Sequence, residues 1–469
     1  MGTPHTSSSH SCISARARAA VILAGLLFWI GPAYAYPFAG GAGEPNDPYQ
    51  VATAEQLIAI GQDEALKSRH FILTADIDLS GRTFSGAVIP TFSGTLNGNS
   101  RRILNLRIRV EGGFFPDAGL FGTLFSEACV RDLSVEGADV ISTDNATPLA
   151  ETNYGRLINC HSSGTVKGDR YAGGLVVFNR GRVTNCSSVT SVTGKLSAAG
   201  LVSQNQAGHL TGCHSEGAVL GVSWGVGGLV GNNGEGSSIV NCHSAAKVDG
   251  DGSAGGLVGE NYGLVIGCYS EGDIIGSTDA GGFIGSNWGA VSNCYSTGTV
   301  IGWVRAGGFA GKNSGGLTDC LATGHVSQQW SGQNNTNGFV GINTGRVVNC
   351  FWDTDTSTRV TDPSATGLST DRMMSPEAFL AAGWDFVGEE GNGSQDFWQM
   401  PKEGGYPVLS AFAGQVPPPL VGQGTPRDPY RISTSADLEH VYHNPEASYR
   451  LEDRKSTRQN SSHVSQSRM

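Results

Sequence analysis

The chain has 469 residues, of which 69 are glycine and only 15% are charged. Glycine is a poor helix former, so this composition argues against a helical protein, while a hydrophobic content of 39% argues against wholesale disorder. The formal net charge of −11 makes nucleic acid or an anionic membrane surface an unfavourable partner.

The N-terminus has the organisation of a secretory signal peptide. Arg16 and Arg18 precede an apolar stretch at 19–30, and the small residues of Ala-Tyr-Ala, which ends at Ala35, suit a cleavage site. A transmembrane anchor is the alternative, but the apolar stretch is short for a bilayer. We therefore predict a signal peptide at 1–35, and a secreted or cell-surface protein without a membrane span after cleavage.

Residues 36–152 are predicted to form an N-terminal cap followed by irregular coils. Thr53 and Gln56 have the spacing of a capping box, which predicts a short helix that continues to Ile60. Such a helix would cover the open end of a solenoid, where unpaired strand edges invite aggregation. Alternating runs within 66–150, such as HFILTADIDL and RRILNLRIRV, predict less regular strands.

A repeat follows, marked by cysteines. Their spacings are 31, 26, 27, 29, 26, 26, 26 and 30 residues, and a period near 26 that tolerates insertions is typical of a solenoid. One unit, AGGFIGSNWGAVSNCYSTGTVIG at 280–302, contains three short extended pieces. At about 3.3 Å per residue they make one coil of an all-β, single-stranded parallel β-helix. The nine cysteines are Cys129, Cys160, Cys186, Cys213, Cys242, Cys268, Cys294, Cys320 and Cys350.

Stacked coils place like residues above one another, which predicts ladders. One ladder consists of asparagines seven to nine residues before each cysteine: Asn153, Asn179, Asn205, Asn233, Asn261, Asn287, Asn313 and Asn343. A second consists of branched residues six after it: Val166, Val192, Val219, Val248, Ile274, Val300 and Val326. The glycine pairs, such as Gly255-Gly256, are predicted to allow corners with positive φ.

The apolar residues on the two sides of each cysteine differ in parity. The six-residue offset places a valine on the same face as the cysteine, which we take to be the interior. Residues three before the cysteine, such as Val291 and Val347, have an odd offset. Both sets can face inward only if the strand bends or bulges near the intervening asparagine.

The repeated sequence resembles a known family. GGLVGENYG, beginning at Gly255, and VSNCYS, ending at Ser296, resemble the GLUG motif, and the resemblance covers 153–357 in six to eight units. That repeat occurs in exported bacterial surface proteins and in the stalks of some immunoglobulin A peptidases. The lead-in GEPNDPYQVATAEQLIAI is also similar to such proteins. The resemblance implies a β-helix and extracellular display, and provides no catalytic residue.

Four further segments follow the repeats. A Trp-rich segment at 358–412 is predicted to close the C-terminal end, and the proline run within 413–423 predicts a linker. GTPRDPYRISTSADLEHV then repeats the lead-in, so we interpret 424–453 as the start of a truncated second module. The polar, basic string at 454–469 resembles nothing upstream and is interpreted as a non-native tail.

The cysteines have two interpretations. Cysteines in an exported chain usually suggest disulfides, and stacked Cα atoms near 4.8 Å fall within the disulfide range. However, ladder side chains point in the same direction, and buried thiols serve well as small apolar groups, which favours free cysteines. There is no CxxC pair of the kind that binds zinc. We predict no metal and no cofactor.

The residue after each cysteine should point outward. These residues are His161, Ser187, His214, His243, Tyr269, Tyr295, Leu321 and Phe351. We interpret the aromatic members, His161, His214, His243, Tyr269, Tyr295 and Phe351, as a candidate exposed stripe that binds a ligand. The alternative is a cross-strand ladder that only stabilises the sheet.

Catalytic motifs are missing from the sequence. His440 and His443 are three apart and lack the glutamate of HExxH, and there is no GxSxG. Asp353 and Asp355 form a D-x-D pair that could bind calcium, but without the rest of a ligand loop. Charged residues of the regular coils lie at corners in different registers. We therefore predict no catalytic residue.

The leading hypothesis is an exported, non-catalytic display or adhesion module that binds glycans or surface proteins. It would act as a monomeric rod or as one of several tandem modules. The alternatives are the stalk of a larger surface protease whose catalytic domain is missing, and a carbohydrate-active β-helix enzyme, a fold that hosts several lyases and hydrolases.

Overall fold

The computed structural model describes residues 38–112, 117–329, 335–357, 359 and 361–412, and the backbone of 430–432 and 449–451. The chain divides into two compact units, Met1–Phe38 and Ala39–Met469, and the β-strands described here belong to the second. The signal peptide predicted at 1–35 and the tail predicted at 454–469 lie outside the described residues.

The described part of the second unit contains an all-β parallel solenoid of about 11 turns with a spacing near 26 residues, which confirms the predicted fold class. Three parallel sheets run along it. Sheet 1 contains Tyr49–Val51, His70–Leu73, Ile77–Asp78, Thr95–Leu104, Arg107–Val110, Cys129–Ser142, Arg156–Ile158, His161–Gly168, Arg182–Thr184, Ser187–Gly194, His209–Thr211, His214–Gly221, Ser238–Val240, His243–Ser244, Lys247–Gly250, Leu264–Ile266, Tyr269–Ser270, Ile274–Gly276, Ala290–Ser296, Val300–Gly302, Gly316–Ala322, Val326–Gln328, Arg346–Val348, Phe351–Asp353 and Thr366–Leu368.

Two smaller sheets complete the coils. Sheet 2 contains Ile89–Phe92, Phe121–Leu124, Ala150–Asn153, Val176–Asn179, Val202–Asn205, Val230–Asn233, Val258–Asn261, Ile284–Asn287, Ala310–Asn313 and Val340–Asn343. Sheet 3 contains Tyr171–Gly173, Ser197–Ala199, Val226–Gly227, Ser253–Gly255, Asp279–Gly281, Arg305–Gly307 and Asn335–Asn337.

The remaining described elements are short. The α-helices are Ala54–Gln62, Thr354–Ser357, Thr370–Met373 and Glu377–Ala381, and the 3₁₀ turns are Glu64–Leu66 and Ser410–Phe412. Trp398–Gln399 pairs antiparallel with Val408–Leu409, and Tyr430–Ile432 pairs parallel with Tyr449–Leu451. Within the described residues, no helix is long and apolar enough to cross a membrane.

The glycine pairs form the corner between sheets 3 and 2. The piece AGGFIG is therefore two strands, and not the single one that the sequence predicted. Gly255 and Gly256 are not at positive φ, contrary to the prediction. A Cβ on Gly255 would lie 2.0 Å from the Val258 carbonyl oxygen, and one on Gly256 would lie 2.1 Å from that of Gly282. Close packing within and between coils, rather than φ, requires glycine here.

The asparagine ladder is confirmed. From Asn153 to Asn343, every Nδ2 donates to the Oδ1 of the next ladder asparagine at 2.8 Å. Several of these amides also bond the backbone of their own corner: the Gly263 N–H donates to Asn261 Oδ1 at 3.2 Å, and Asn261 Nδ2 donates to the Gly263 carbonyl at 3.3 Å. The ladder therefore satisfies buried polar groups that the strands leave unpaired.

The bend expected before each cysteine is also present. The preceding residue is left-handed in all eight coils, with φ between 51° and 64°, and Asn, Asp or Gly tolerates this conformation best. The bend turns the cysteine N–H toward the next coil, so that Cys268 N donates to Cys294 Sγ at 3.4 Å. These residues are Asn159, Asn185, Gly212, Asn241, Gly267, Asn293, Asp319 and Asn349.

Cys129 does not belong to the cysteine ladder, although its spacing suggested that it does. It pairs with Arg156, four residues before Cys160, and it begins a continuous strand to Ser142. The ladder therefore starts at Cys160, and Leu133 occupies the equivalent place in the preceding coil. All nine cysteines in the described part of the chain are buried and free.

Serines two residues after the cysteines cross the narrow interior. Ser270 Oγ donates to the Gly282 carbonyl at 2.7 Å, and Ser296 Oγ donates to that of Gly308 at 2.7 Å. These bonds join sheet 1 to the glycine corner. The branched residues six after the cysteine are also buried, as predicted.

Each end of the solenoid is covered. At the N-terminal end, Thr53 and Gln56 form the predicted capping box of the helix Ala54–Gln62, whose Leu57 and Ile60 are buried. This helix packs against Ile89–Phe92, the first strand of sheet 2. At the other end, Asp362 Oδ2 accepts hydrogen bonds from Phe339 N and Val340 N, both at 2.8 Å.

Candidate functional site

The stripe predicted from the sequence is a ladder of stacked rings on sheet 1. Adjacent ring centroids lie 5.0 Å apart for His214 and His243, 4.7 Å for His243 and Tyr269, and 4.9 Å for Tyr269 and Tyr295, with planes within 5° of parallel. This is the cross-strand ladder that the alternative interpretation expected.

The C-terminal half of this stripe is covered, so the prediction that it is exposed is wrong there. Tyr269, Tyr295 and Phe351 are only 5–6% exposed. Phe412 packs edge-on against His243 and Tyr269, with centroid distances of 5.5 and 4.9 Å. The segment predicted to close the solenoid thus folds over the outside of sheet 1, because the aromatic rings there offer apolar surface to bury.

His161 and His214 are the stripe members that stay half-buried without this cover, while His243 lies at its edge. His161 Nδ1 is 2.8 Å from Ser187 Oγ. Burial lowers the pKa of His161, and burial together with the His214 charge lowers the pKa of His243 to about 3. At neutral pH these two imidazoles are uncharged. Ligand binding by the stripe stays a prediction.

Hydrogen bonds fix the covering segment. Trp398 Nε1 donates to Asn293 Oδ1 at 3.0 Å, and Trp384 Nε1 donates to the Asn349 carbonyl at 2.9 Å. Both acceptors belong to the left-handed residues before a cysteine. The bends of sheet 1 therefore also provide the attachment points of the C-terminal segment.

Asp353 is part of this attachment and is fully hydrogen-bonded. Its Oδ1 accepts from Asp355 N and Thr356 N, and its Oδ2 accepts from Thr370 Oγ1 at 2.8 Å and from the Tyr406 hydroxyl at 2.7 Å. Burial, then the bond to Asp353, raises the pKa of Tyr406. These protein donors occupy the carboxylate, so the D-x-D pair does not support a calcium site.

An exposed row lies at another corner, one residue after each ladder asparagine. We call it the corner row: Tyr154, Arg180, Gln206, Gly234, Tyr262, Trp288, Ser314 and Thr344. Tyr262 and Trp288 stack with centroids 4.7 Å apart and planes 1° from parallel, and they are 39% and 38% exposed. Lys312 Nζ lies 5.2 Å from the Trp288 ring centroid.

Polar groups lie close to this aromatic pair. Asn232 Nδ2 donates to Glu260 Oε2 at 3.1 Å. Burial, then the charge of Glu260, raises the pKa of Tyr262, so the carboxylate is near the phenol. Gly234 occupies the place in the row next to Tyr262 and has no side chain to stack on it. Spacing from the cysteines does not reveal this row, whereas counting one residue on from each ladder asparagine does.

A shallow groove of about 610 Å³ lies on the outer face of sheet 1. Exposed aliphatic and charged side chains alternate there, since Leu220 pairs in register with Asp249, and Asp249 with Ile275. Lys247 also lines it. Its surface is mixed in polarity and contains no histidine or cysteine.

Chemistry at the other titratable groups is limited. No group of three or more His, Cys, Asp or Glu side chains converges as a metal site within the part of the chain that the structure describes. Burial raises the pKa of the Cys320 and Cys350 thiols, which disfavours the nucleophilic thiolate. Asp279 forms a buried ion pair with Arg305.

Comparison with known proteins identifies the repeat. The family model described as the GLUG motif matches residues 222–249 and 276–301. Halomucin of Haloquadratum walsbyi is 32% identical over 147 residues, which are 29% of this chain and 2% of that protein. A protein of Evansella cellulosilytica, named as a Gly-rich membrane protein, is 33% identical over 143 residues, which are 28% of this chain and 16% of that protein.

Two solved structures are similar at lower identity. One is a Bacteroides ovatus protein described as an immunoglobulin A1 protease, with 18% identity and a TM-score of 0.41, covering 80% of this chain and 95% of that one. The other, an IgA1 protease, has 16% identity and a TM-score of 0.31 and covers 64% and 21%. The coils are those of an all-β parallel solenoid, and the units at 222–249 and 276–301 are GLUG-motif repeats.

Proposed function

We propose that the chain is an extracellular, non-catalytic display module that binds glycans through the corner row. The observation that carries this proposal is the exposed stack of Tyr262 and Trp288 on a β-helix whose other aromatic ladder is covered by its own C-terminal segment. Aromatic faces beside hydrogen-bonding side chains suit a sugar ring, which has both apolar C–H faces and hydroxyl groups.

The free face of Tyr262 is the position for the sugar. Trp288 covers one face of the phenol ring, whereas on the other side Gly234 adds no side chain to the row. A sugar ring stacked there would continue the ladder. Asn232 and Glu260 offer hydroxyl groups an amide and a carboxylate beside it. A protein partner is the second occupant that this surface would accept.

Extracellular location is part of the same proposal. The predicted signal peptide at 1–35, the resemblance of the repeats to exported surface proteins, and a relative named as a membrane protein support it. Epitope-tagged full chain should be found in the medium or at the cell surface and should be accessible to added antibody. Retention in the cytoplasm with the first 35 residues uncleaved would contradict this part.

A glycan array with the full chain tests the binding. Tyr262→Ala should abolish binding to any glycan that the wild type retains, and Trp288→Ala should weaken it by about five-fold, since an aromatic contact contributes about 1 kcal/mol. Trp303→Ala is the matched control, because Trp303 is 48% exposed and lies outside the corner row. Binding that survives Tyr262→Ala would refute the corner row as the site.

The two alternatives from the sequence analysis have separate tests. Recovery of a protease motif in the downstream reading frame would favour the stalk of a larger surface protease. Release of reducing ends or unsaturated products from a polysaccharide panel would favour a carbohydrate-active enzyme. Tyr269→Ala and Tyr295→Ala are unsuitable as binding probes, because both rings are buried and their loss would destabilise the fold.

A further inference from the structure

Glu151 is a carboxylate at a position where the other coils place small or apolar residues. By strand register, its equivalents in the next coils are Val177, Ser203 and then Gly231. The position lies between sheets 3 and 2, where later coils pack backbone against backbone. Glu151 is nevertheless buried, at 7% exposure. Burying a carboxylate here is costly unless something compensates for its charge.

The protein donors around Glu151 compensate for it only in part. Asn145 Nδ2 donates to its Oε1 at 2.9 Å, and Ala118 N donates to its Oε2 at 2.8 Å. Asp117, which precedes Ala118, is a second, half-buried carboxylate. Among the ion pairs of the described residues, none includes Asp117 or Glu151.

Two buried neutral oxygens of this coil have no hydrogen-bond partner; one belongs to Asn145, which bonds Glu151, and the other to Thr147, whose N–H donates to the Ala118 carbonyl at 3.1 Å. They are Asn145 Oδ1 and Thr147 Oγ1, on side chains that are 6% and 0% exposed. Asn145 is held against Glu151 by its own Nδ2, so its carbonyl oxygen lies at the same cluster. Buried polar atoms without protein partners are rare in native proteins, and oxygens of this kind beside a carboxylate are suited to bind water or a cation.

We propose that Asp117, Asn145, Thr147 and Glu151 form a Ca²⁺ site. Ca²⁺ prefers six to eight oxygen ligands, and a mixture of carboxylate, amide and hydroxyl oxygens completed by water or backbone carbonyls is typical of its sites. Two carboxylates would neutralise the divalent charge. Asp117 is half-buried, so an ion can reach it from solvent. The sequence gives no signal for this site, because these residues form no motif and lie in the irregular coils.

Ca²⁺ binds the ionised form of a carboxylate, so its affinity for this cluster should fall in acid.

Titration calorimetry of the full chain with Ca²⁺ alone, after treatment with EGTA, tests the proposal. We expect saturable binding of one ion with a Kd of about 10⁻⁴–10⁻³ M, as in extracellular modules, and a higher Tm in Ca²⁺ than in EGTA. Glu151→Gln should weaken binding by at least about ten-fold, because it removes one of two charged ligands while keeping the side-chain shape.

Asp249→Asn is the control, since Asp249 is an exposed carboxylate on sheet 1. It should leave Kd and Tm shift unchanged. Glu151→Gln should fold in EGTA at least as well as the wild type, because it removes an uncompensated buried charge. No saturable binding to the wild type, or equal binding to the Glu151→Gln variant, overturns the proposal. In that case Glu151 is protonated, or water binds the oxygens of the cluster.

Discussion

The interior of each coil is narrow, and three buried polar side chains per repeat hydrogen-bond the backbone groups that line it. The ladder asparagine satisfies the corner between sheets 2 and 1, the cysteine sulfur accepts a backbone N–H at the bend, and the serine two residues later reaches the glycine corner. Each group is buried and bonded, so none incurs the cost of an unpaired polar atom. The examples in one coil are Asn261, Cys268 and Ser270.

Removing one asparagine from the middle of its ladder should therefore be costly. Asn261→Ala removes the acceptor of the Asn233 amide, the side-chain donor to the Gly263 carbonyl and one of the two acceptors of the Gly263 N–H, and we expect a loss of ~2–4 kcal/mol in the free energy of unfolding. Asn343→Ala, at the end of the ladder, should cost about half as much. Chemical denaturation of both variants measures the difference, and equal effects would show that the ladder adds nothing along its length.

At the scale of secondary-structure elements, the C-terminal segment packs on sheet 1 and each covers apolar surface of the other. The stripe presents a column of flat rings, and the segment covers it with Phe379, Trp398 and Phe412. Because both tryptophans at this interface donate to bend residues, the segment binds to coils that precede it by up to 105 residues. It is thus a side cover as well as an end closure.

Trp398→Ala should release this cover selectively. It removes a fully buried indole and its bond to Asn293, so we expect a loss of ~3–5 kcal/mol confined to the C-terminal segment. Hydrogen exchange should then be faster throughout 370–412, while the coils before 260 remain protected. Faster exchange in those coils as well would mean that the cover and the solenoid unfold as one unit.

His243 makes this contact sensitive to acid. Its pKa is lowered to about 3 in the folded protein, below the 6.5 of an exposed imidazole. The stability that the neutral His243 side chain contributes is therefore fully present above pH 6.5. It is lost as the pH falls from 6.5 toward 3, because the unfolded state takes up the proton first.

His243→Tyr replaces this group by the residue found in the next two coils. The free energy of unfolding of the variant minus that of the wild type should be ~1–2 kcal/mol larger at pH 5 than at pH 8. Thermal unfolding at the two pH values measures this. A difference that does not change with pH would show that His243 has the same pKa in the folded and unfolded chains, contrary to the expected shift.

The elements differ in how far sequence alone could predict them. Local periodicity predicted the coils, the asparagine ladder and the bend before Cys294, because stacked coils repeat the same short-range chemistry. It could not predict that Phe412 covers Tyr269, since this contact joins an irregular segment to a distant face. Spacing also misplaced Cys129: the bend of its strand is at Asp132 and is followed by Leu133, so Cys129 lies four residues before the ladder position.

The candidate sites escaped prediction for similar reasons. Tyr262 and Trp288 become a pair only when coils are stacked in register, and an offset counted from the asparagines would have shown it. Asn145 and Glu151 meet across a corner of a single irregular coil, which no repeat predicts.

At the scale of the whole molecule, the cysteines from Cys160 to Cys350 form a buried column. They are free, buried and, at Cys320 and Cys350, raised in pKa, so they should be protected from thiol reagents as long as the coils are closed. A chain carrying Cys12→Ser should give no reaction with a thiol-specific dye in buffer and should label fully in guanidinium. Partial labelling in buffer would reveal coils that open without global unfolding.

The asparagine ladder also has a direction. Every amide hydrogen points toward the higher-numbered coil, so seven successive dipoles add along the axis and leave an unused NH₂ group on Asn343 and an acceptor oxygen free of any preceding amide on Asn153. The two ends of the stack are therefore chemically different templates. A strand that met the stack at Asn343 would have to offer an acceptor, whereas one that met it at Asn153 would have to offer a donor.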